Sequence, residues 1–507
     1  MRKILKILLF SFLITIFIVA GFLIYSENKK IEAEKINPPT GGENSNKKIK
    51  VISEEEKANN ISQNNNKINK VVLITIDTLR ADHLGYMGYP RDTSPFLDKL
   101  AREGALLKNA HTVIPSTISS HSSIFTSLYP IQHKTTNHYE VLNDTLTTMA
   151  EFLKENGFKT AAFVGGDSMY ISNLDQGFDM YNFSETGFRR RRSVQTTVDE
   201  AIEWLNEQPS EDKIFLWIHT WDLHYPYIDI PNNIQEEFIL EGKDKEKLVN
   251  FWTEEHNVNL NLYKKDKEEN LVKVMNGYDG ELKFVDRELN RLFNYFEEKQ
   301  INNNSLWIIT GDHGEGLGSH DFYEHAEMVY EEELLTPVIF YSPVQEIVEP
   351  KIINDVVENI DILPTIADII GFSLEEQKGT IFGVSLLPLL TGVDKYIDGY
   401  NFAWTGNISE TPIGSAIEEI YVEKMPWTGK KWSVQNKKFK YIYNMDIEVE
   451  DEFYDLEKDS LEKNNLINQN SKEKDKLKNI LFKKIEKLKL ENQDIKRQPI
   501  ERFHLDF

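Results

Sequence analysis

Short runs of apolar and β-branched residues recur along the chain and predict buried β-strands. The first is VVLITI at residues 71–76, a continuous run that is typical of a strand covered on both faces. Runs of the same kind follow at residues 160–164, 214–218, 306–310 and 338–342. These strands are therefore predicted to lie inside the protein.

Segments with helical periodicity lie between these runs. In SPFLDKLAREG, Ser94 is the predicted N-cap, Pro95 occupies the first helical position and Gly104 ends the helix. DTLTTMAEFLKENG (residues 144–157) and VDRELNRLFNYFEEK (residues 285–299) carry apolar positions with the 3.6-residue period of a helix. Strands that alternate with helices predict an α/β fold with a largely parallel central sheet flanked by helices.

The pattern changes at about residue 395. WSVQNKKFKYIYN and EDEFYDLEKD are typical of short antiparallel strands, and residues 472–490 predict a charged terminal helix. We therefore expect a main domain over residues 69–395 and a smaller C-terminal α+β subdomain over residues 396–507.

The N-terminus carries a candidate membrane segment. Residues 7–25 are mostly apolar and follow Arg2, Lys3 and Lys6; at about 1.5 Å per residue, a helix of this length spans a hydrocarbon core of about 30 Å. We predict a single-pass signal-anchor over residues 1–25, with the N-terminus inside and the folded part outside the cytoplasm. A cleaved signal peptide, which would release a secreted protein, is the alternative. Residues 26–68, rich in Glu, Lys, Asn and Ser, predict a flexible polar stalk.

Composition narrows the function. The chain has 507 residues and a formal net charge of −24, which argues against a nucleic-acid partner because phosphate backbones require a basic surface. It contains no cysteine, which excludes disulfides, thiolate metal sites and cysteine nucleophiles. Nothing in the sequence predicts an oligomeric state.

Polar residues collect where three of the predicted strands end. Asp77 follows LITI, His219 and His224 lie in LWIHTWDLH, and Asp312 and His313 follow IITG. A single Asp there could merely cap a helix. Because the carboxyl ends of parallel strands meet at one edge of a sheet, we expect these side chains to lie together. Two carboxylates and an imidazole are plausible ligands for a divalent metal ion.

Longer blocks of the sequence resemble the sulfatase family, within the alkaline-phosphatase-like superfamily. The blocks are ITIDTLRADHLGYMGYPRDTSPFLDKLAREGALLKNAHT, SSHSSIFTSLYPIQH, GDHGEGLGSHDFYEHAEMVYEEELLTPVIFYSP and VENIDILPTIADIIG, and FYDLEKDSLEKNNL is similar to the family's C-terminal signature. The resemblance covers roughly residues 69–470 in order. It implies an alkaline-phosphatase-like fold and the hydrolysis of sulfate or phosphate esters.

The stretch VIPSTISSHSSIFTSLYP departs from the family at the nucleophile. Family members have a Cys/Ser-x-Pro-x-Arg element before a Thr-Gly-x-Tyr-Pro ending; aligning TSLYP with that ending places Thr117 at the nucleophile, Ser119 at the Pro and His121 at the Arg. Sulfatases convert Cys or Ser to formylglycine, but Thr has no primary carbon that could become an aldehyde, so no formylglycine is expected. The element resembles the Thr-nucleophile branches, which include nucleotide pyrophosphatases and lipid-linked phosphotransferases. A Ser/Thr-rich helix cap without chemistry is the alternative.

The resemblance also implies a metal site. Its ligands would be Asp77, Thr117, Asp312 and His313. Sulfatases usually have Asp-Asp in the first block and Asp-Asn in the fourth. One carboxylate fewer and an added imidazole favour Zn²⁺ or Mn²⁺, with Ca²⁺ or Mg²⁺ possible.

Further roles follow from the same resemblance. His224 would protonate the leaving oxygen, and His121 is a further catalytic candidate. His219 and His325 would contact the substrate or, with Asp222, hold a second metal. The family's Gly-Lys-x-His element is replaced by GGDS at residues 165–168, which leaves that charge-stabilising role unassigned.

Arg189–Arg192 form a basic run in an acidic chain. A solvated loop is the simpler interpretation, and a patch for anionic lipid headgroups or a polyanionic glycan is the alternative.

The sequence as a whole predicts a metal-dependent hydrolase of sulfate or phosphate esters that acts through a metal-bound Thr nucleophile and a covalent intermediate, outside the cytoplasmic membrane. Its substrate would be a small molecule or a glycan or lipid ester. The alternatives are a phosphoryl-group transferase that acts on envelope lipids or polymers, and a catalytically inactive sulfatase-like envelope protein.

Overall fold

The computed structural model describes residues 68–137, 140–166, 172–183, 192–227, 230–256, 258–263, 266–344, 346–374, 381–392, 399–405, 430–445 and 449–490. The predicted anchor, the predicted stalk up to residue 67, Arg189–Arg191 and the last two residues of GGDS lie outside these ranges, and their roles stay predictions. Ile68, the last residue of the predicted stalk, is buried. None of the described helices is long and apolar enough to cross a membrane.

The described helices and strands are numbered in chain order. Helices α1 to α12 are Pro95–Glu103, Thr117–Thr126, Pro130–His133, Met149–Glu155, Val194–Asn206, Asn232–Glu237, Gly242–Asn250, Lys267–Glu298, Glu331–Leu334, Ile362–Ile370, Leu387–Leu390 and Lys472–Leu490. Strands β1 to β12 are Lys70–Ile76, Ala105–His111, Lys159–Val164, Met180–Asn182, Ile214–Thr220, Ser305–Gly311, Val338–Tyr341, Lys351–Glu358, Asn401–Trp404, Lys431–Gln435, Phe439–Asn444 and Glu452–Asp455. Short helical turns lie at Ala81–His83, Gly85–Met87, Phe251–Glu255, Leu260–Leu262, Asn302–Asn304, Ser319–Asp321 and Asn359–Asp361.

Strands β1 to β8 form one sheet in the spatial order β4-β3-β5-β1-β6-β7-β2-β8. Its neighbours are parallel, except that β7 is antiparallel to both β6 and β2. Alternate residues of β1 enter different apolar cores: Val72 and Ile74 pack with α1, α5 and α8, whereas Val71 and Leu73 pack with α2, α4 and α10. The continuous apolar run in the sequence therefore reflects burial on both faces, as predicted.

Several predicted elements differ in detail from the structure. The helix expected within residues 144–157 is confined to α4, because the Thr148 side chain accepts a hydrogen bond from the Glu151 N–H and starts the helix there. The helix expected at residues 285–299 is the second half of the long α8. Strands β2 and β8 had no predicted counterpart, and the expected strand at residues 338–342 is the antiparallel β7.

The C-terminal subdomain is a small antiparallel sheet covered by one helix, as predicted. Its strands lie in the order β12-β11-β10-β9. Leu477 and Leu481 of α12 pack with Val434 and Tyr441 of this sheet in one apolar core, which also includes Ile114 of the main domain. The subdomain is therefore continuous with the segment that precedes α2.

A buried ionic network connects this subdomain with residues 312–334. Lys440 of β11 is buried, and its Nζ lies 3.0 Å from carboxylate oxygens of both Glu331 and Glu462. His320 Nδ1 lies 2.5 Å from Oε1 of Glu332, and its Nε2 lies 3.1 Å from the Glu462 carbonyl. Burial lowers the pKa of His320, but the charge of Glu332 outweighs it and raises the pKa to about 9.

This network predicts that His320 makes stability depend on pH. A folded-state pKa near 9, against about 6.5 when unfolded, gives a stabilisation of about 3 kcal/mol that is complete below pH 6.5 and is lost as the pH rises through 9. The free energy of unfolding, measured by denaturant titration from pH 6 to 10, should fall more steeply for wild type than for His320→Gln. Parallel pH profiles for the two proteins would show that His320 is not protonated in the fold.

Candidate active site

Three adjacent strands bring the predicted polar groups to one edge of the main sheet. β1 lies between β5 and β6, and Thr75 is in register with His219 on one side while Ile76 is in register with Gly311 on the other. The pairing continues past the strand ends, where Asp77 N donates to the Thr220 carbonyl at 3.0 Å. The side chains that follow β1 and β6 therefore meet, as the sequence predicted.

Thr117 begins helix α2 and faces this edge. Ser116 is the N-cap residue in extended conformation, and the Thr117 side chain is only 4% exposed. Its hydroxyl oxygen lies 3.1 Å from Nε2 of His313 and 3.5 Å from Oδ1 of Asp77. The first-turn N–H groups of a helix lack intrahelical partners, so this end also favours an anionic group.

Serine side chains fix α2 in this position. Ser120 Oγ donates to the Asp312 carbonyl at 2.8 Å, and Asn359 Nδ2 donates to Ser120 Oγ at 3.1 Å. Ser123 Oγ lies 2.9 Å from Nε2 of His133 in the following short helix. The crowding of hydroxyl groups in the sequence thus has a structural explanation apart from Thr117.

His313 presents one ring nitrogen to the same point. Its Nδ1 lies 2.8 Å from the Gly314 carbonyl, which can only accept, so Nδ1 carries the hydrogen. Nε2 of the neutral ring is therefore a lone pair, 3.5 Å from Oδ1 of Asp77 and 3.7 Å from Oδ2 of Asp312. A second nitrogen bonded to a carbonyl is the usual arrangement of a metal-binding histidine.

Two carboxylate oxygens at this point lack a hydrogen bond. Oδ1 of Asp312 accepts from the backbone N–H groups of His313 at 2.8 Å and Thr78 at 3.3 Å. Oδ2 of Asp312 and Oδ2 of Asp77 are buried and have no hydrogen-bond partner among the residues that the structure describes. Ligand atoms of Asp77, Asp312 and His313 all lie within 4.8 Å of one another. This donor set fits a divalent cation.

The ionisation of the site is set by burial. Burial raises the pKa of Asp312 to about 8, and burial followed by the charge of Asp312 raises the pKa of Asp77 well above its usual range. Burial also lowers the pKa of His121 to about 3 and that of His219 well below its usual range. A divalent cation would reverse the penalty on the carboxylates and would require the neutral imidazoles already present.

His121 and His219 lie next to this cluster and share a strand hydroxyl. His121 Nδ1 lies 2.7 Å from the Thr117 carbonyl and its Nε2 lies 2.9 Å from Thr75 Oγ1, so both of its nitrogens are engaged. His219 Nδ1 lies 3.0 Å from the same hydroxyl. Ligand atoms of His121, His219 and Asp312 lie within 4.8 Å of one another.

His224 and His325 continue the site away from Thr117. The ring centroids of His325 and His313 are 4.5 Å apart, and those of His325 and His224 are 5.3 Å apart. Nδ1 of His325 lies 3.2 Å from Oε1 of Glu315, whose pKa burial raises to about 8. The half-buried His224 therefore lies one ring beyond His325.

The second-metal set of His219, Asp222 and His325 is not brought together. Oδ1 of Asp222 accepts from the Val194 N–H at 2.9 Å, at the start of α5. Among the described parts of the chain, neither of the two groups of possible metal ligands contains Asp222 or His325. Asp222 positions a helix, which is the alternative that strand-end carboxylates always carry.

The replaced Gly-Lys-x-His element has a steric reason. A Cβ at Gly166, the position of the family's Lys, would lie 2.1 Å from the Trp221 ring. Trp221 therefore fills the space that a side chain at residue 166 would need. This branch of the site has exchanged an ammonium group for an indole ring.

Sequence reasoning did not single out two residues of the site. Thr75 lies within a buried strand, where a Thr carries no signal that distinguishes it from its apolar neighbours. Glu315 stands in the quoted block GDHGEG, and its carboxylate beside His325 could have been suspected from that spacing.

Comparison with known proteins assigns the family. A model of the sulfatase family matches residues 69–372, more than half of the chain. The chain belongs to the sulfatase family. This assignment confirms the resemblance seen in the sequence and makes the chain an ester hydrolase.

Two curated members of the sulfatase family show the range of relatives. The chain is 24% identical over 460 residues to the arylsulfatase of Clostridium perfringens, an alignment that covers 78% of this chain and 90% of the relative. It is 22% identical over 453 residues to the N-acetylglucosamine-6-O-sulfatase of Bacteroides thetaiotaomicron, covering 74% and 78% of the two chains.

Solved structures confirm the predicted fold. BT4656, solved with its substrate D-glucosamine-2-N,6-O-disulfate, superposes with a TM-score of 0.66 at 19% identity, covering 85% of this chain and 99% of that one. The phosphonate monoester hydrolase of Agrobacterium radiobacter superposes with a TM-score of 0.65 at 16% identity, covering 84% and 96%. At these identities the likeness concerns the fold alone.

Proposed function

We propose that this chain is a metal-dependent hydrolase of sulfate or phosphate esters in which the unmodified hydroxyl of Thr117 is the nucleophile. One observation carries the proposal. Thr117 Oγ1 lies at a helix start, 3.1 Å from the lone pair of His313 and 3.5 Å from Asp77, beside carboxylate oxygens without partners in the described structure. A hydroxyl in that position has no structural need of this arrangement.

A divalent cation would be held by Asp77, Asp312 and His313 together with the hydroxyl of Thr117. Such an ion lowers the pKa of a bound hydroxyl and neutralises charge on the transferred group. The two oxygens and one imidazole nitrogen of the protein favour Zn²⁺ or Mn²⁺ over Ca²⁺.

The residues of the chain divide the reaction into two displacements. Thr117 Oγ1 forms a bond to phosphorus or sulfur while the ester bond breaks, and the N-terminus of α2 favours the charge on the non-bridging oxygens. His224 would give its proton to the leaving oxygen. Water then breaks the bond to Thr117 and returns the hydroxyl.

Phosphate esters are expected to be the better substrates. A phosphoryl group on a Thr oxygen can be released by water, whereas sulfatases rely on formylglycine to release sulfate, and Thr117 cannot form it. The phosphonate monoester hydrolase among the structural neighbours is consistent with this chemistry on the same fold.

The substrate class is tested with a panel of aryl esters. The purified chain should hydrolyse an aryl phosphate or phosphonate faster than the aryl sulfate, and the peptide with residues 113–130 should have its unmodified mass. Turnover of the sulfate alone would contradict the phosphate preference. A metal-loaded protein that turns over no ester would favour the inactive-homologue interpretation.

A further inference from the structure

Thr75 lies at the centre of a hydrogen-bond junction between two strands and a helix. Its hydroxyl oxygen is buried and lies 2.9 Å from His121 Nε2, 3.0 Å from His219 Nδ1 and 3.0 Å from Trp217 Nε1. A hydroxyl group has one hydrogen to donate and two lone pairs that accept. Three partners use that capacity completely.

The direction of each bond follows from the groups at the ends. The indole N–H of Trp217 can only donate, so it occupies one lone pair of Thr75. The Thr117 carbonyl can only accept, so Nδ1 of His121 carries the hydrogen in their 2.7 Å bond and Nε2 of the neutral ring accepts. The single hydrogen of Thr75 therefore goes to His121.

This leaves only one arrangement for His219. The remaining lone pair of Thr75 accepts, so Nδ1 of His219 carries the hydrogen and Nε2 does not. Nε2 of His219 is buried and has no hydrogen-bond partner within the described ranges. A ring nitrogen of His219 lies within 4.8 Å of a carboxylate oxygen of Asp312, which places this imidazole beside the proposed reaction centre.

We propose that Thr75 is a positioning residue: it holds His219 in the tautomer whose Nε2 accepts a hydrogen bond from an O–H donor that enters the site. The donor is the water of the second displacement or a hydroxyl of the substrate. This inference rests on the proposed function for its effect on turnover, but the tautomer itself is a property of the resting protein. The same chain of bonds joins His219 to the carbonyl of Thr117.

The test compares Thr75→Val with Thr75→Ser. Val has the shape of Thr without the hydroxyl, so His219 loses the bond that selects its tautomer, while Ser keeps it. We expect Thr75→Val to lower kcat for an aryl phosphate by about 10- to 100-fold with little change in KM, and Thr75→Ser to retain most of the activity. An aryl phosphate has no hydroxyl in its leaving group, so a full effect on this substrate identifies water as the donor. An effect seen only with hydroxylated substrates identifies a substrate hydroxyl.

Imidazole ¹⁵N spectra of the metal-free protein give a readout independent of turnover. The His219 signals, assigned by their loss in His219→Gln, should show a protonated Nδ1 in wild type and Thr75→Ser, and a mixture of tautomers in Thr75→Val. A protonated Nε2 in wild type, or wild-type kcat in Thr75→Val, would overturn the proposal. If Thr75→Val does not fold, the wild-type and Thr75→Ser spectra still decide it. A protein with the expected tautomer but no esterase activity would contradict the proposed function and leave the assignment of Thr75 supported.

Discussion

Replacing Thr117 by Ala is expected to lower kcat for ester hydrolysis by about 10³-fold or more, because no other hydroxyl begins α2 at this edge of the sheet within the described structure. The 4% exposed side chain contacts His313 and Asp77 but supports no helix cap, so the thermal midpoint should change little. Initial rates with an aryl phosphate at saturating metal, together with melting curves, measure both effects.

A serine from the same helix supplies the control. Ser122 Oγ donates to the Ile118 carbonyl at 2.8 Å and does not contact the cluster of Asp77, Asp312 and His313 in the described structure. Ser122→Ala should therefore keep nearly all activity, and Thr117→Ser should keep part of it because the hydroxyl remains. Equal rates in Thr117→Ala and wild type would remove Thr117 from the chemistry.

Neutralising Asp312 is expected to have opposite effects on the metal-free and the metal-loaded protein. In Asp312→Asn the buried carboxylate no longer repels Asp77, so the metal-free variant should be at least as stable as wild type. With metal at 100 times its Kd, wild type should gain about 2.7 kcal/mol while the variant gains little. Activity of the variant should fall by about 10²-fold or more, because it loses a metal ligand. Melting curves with and without Zn²⁺ or Mn²⁺ measure the first two effects.

Asp286 is the matched control for a buried carboxylate outside the site. It accepts from the N–H groups of Phe96 and Leu97 at 2.9 Å, and burial raises its pKa to about 7. Asp286→Asn should lower stability with or without metal and leave the metal-induced shift intact. A metal-induced shift of wild-type size in Asp312→Asn would place the cation elsewhere.

The strands that hold the site could be predicted because their sequences are apolar on both faces. β1, β5 and β6 were each expected, and the rule that parallel strands end at a common edge put Asp77 and Asp312 together without any contact information. The terminal helix was predicted with the bounds it has, Lys472–Leu490, because its charged and apolar positions follow a clear helical period.

The missed elements lie where that signal is weak. β2 ends in the polar stretch Lys108–His111, and β8, at the edge of the sheet, carries half-exposed and exposed polar residues, so neither gave an apolar run. β7 was expected as a strand, but an apolar run carries no direction. Its antiparallel orientation depends on the connection from β6, which tertiary contacts determine.

Within the site, side chains that follow strand ends were easier to predict than those inside strands. Thr117 came from the family motif, whereas Thr75 is one of the β-branched residues that any buried strand contains. Its role exists only because β5 and α2 each bring an imidazole to within 3.0 Å of the same oxygen. Such a junction is made by three distant segments and has no local sequence pattern.

Anomalous diffraction from crystals grown with Mn²⁺ or Zn²⁺ tests most directly whether the Thr117 hydroxyl shares a cation with the carboxylates. The account predicts a peak within bonding distance of Thr117 Oγ1, Asp77, Asp312 and Nε2 of His313, and its loss in Asp312→Asn. A cation bound elsewhere, or none near Thr117 in an active protein, would contradict it.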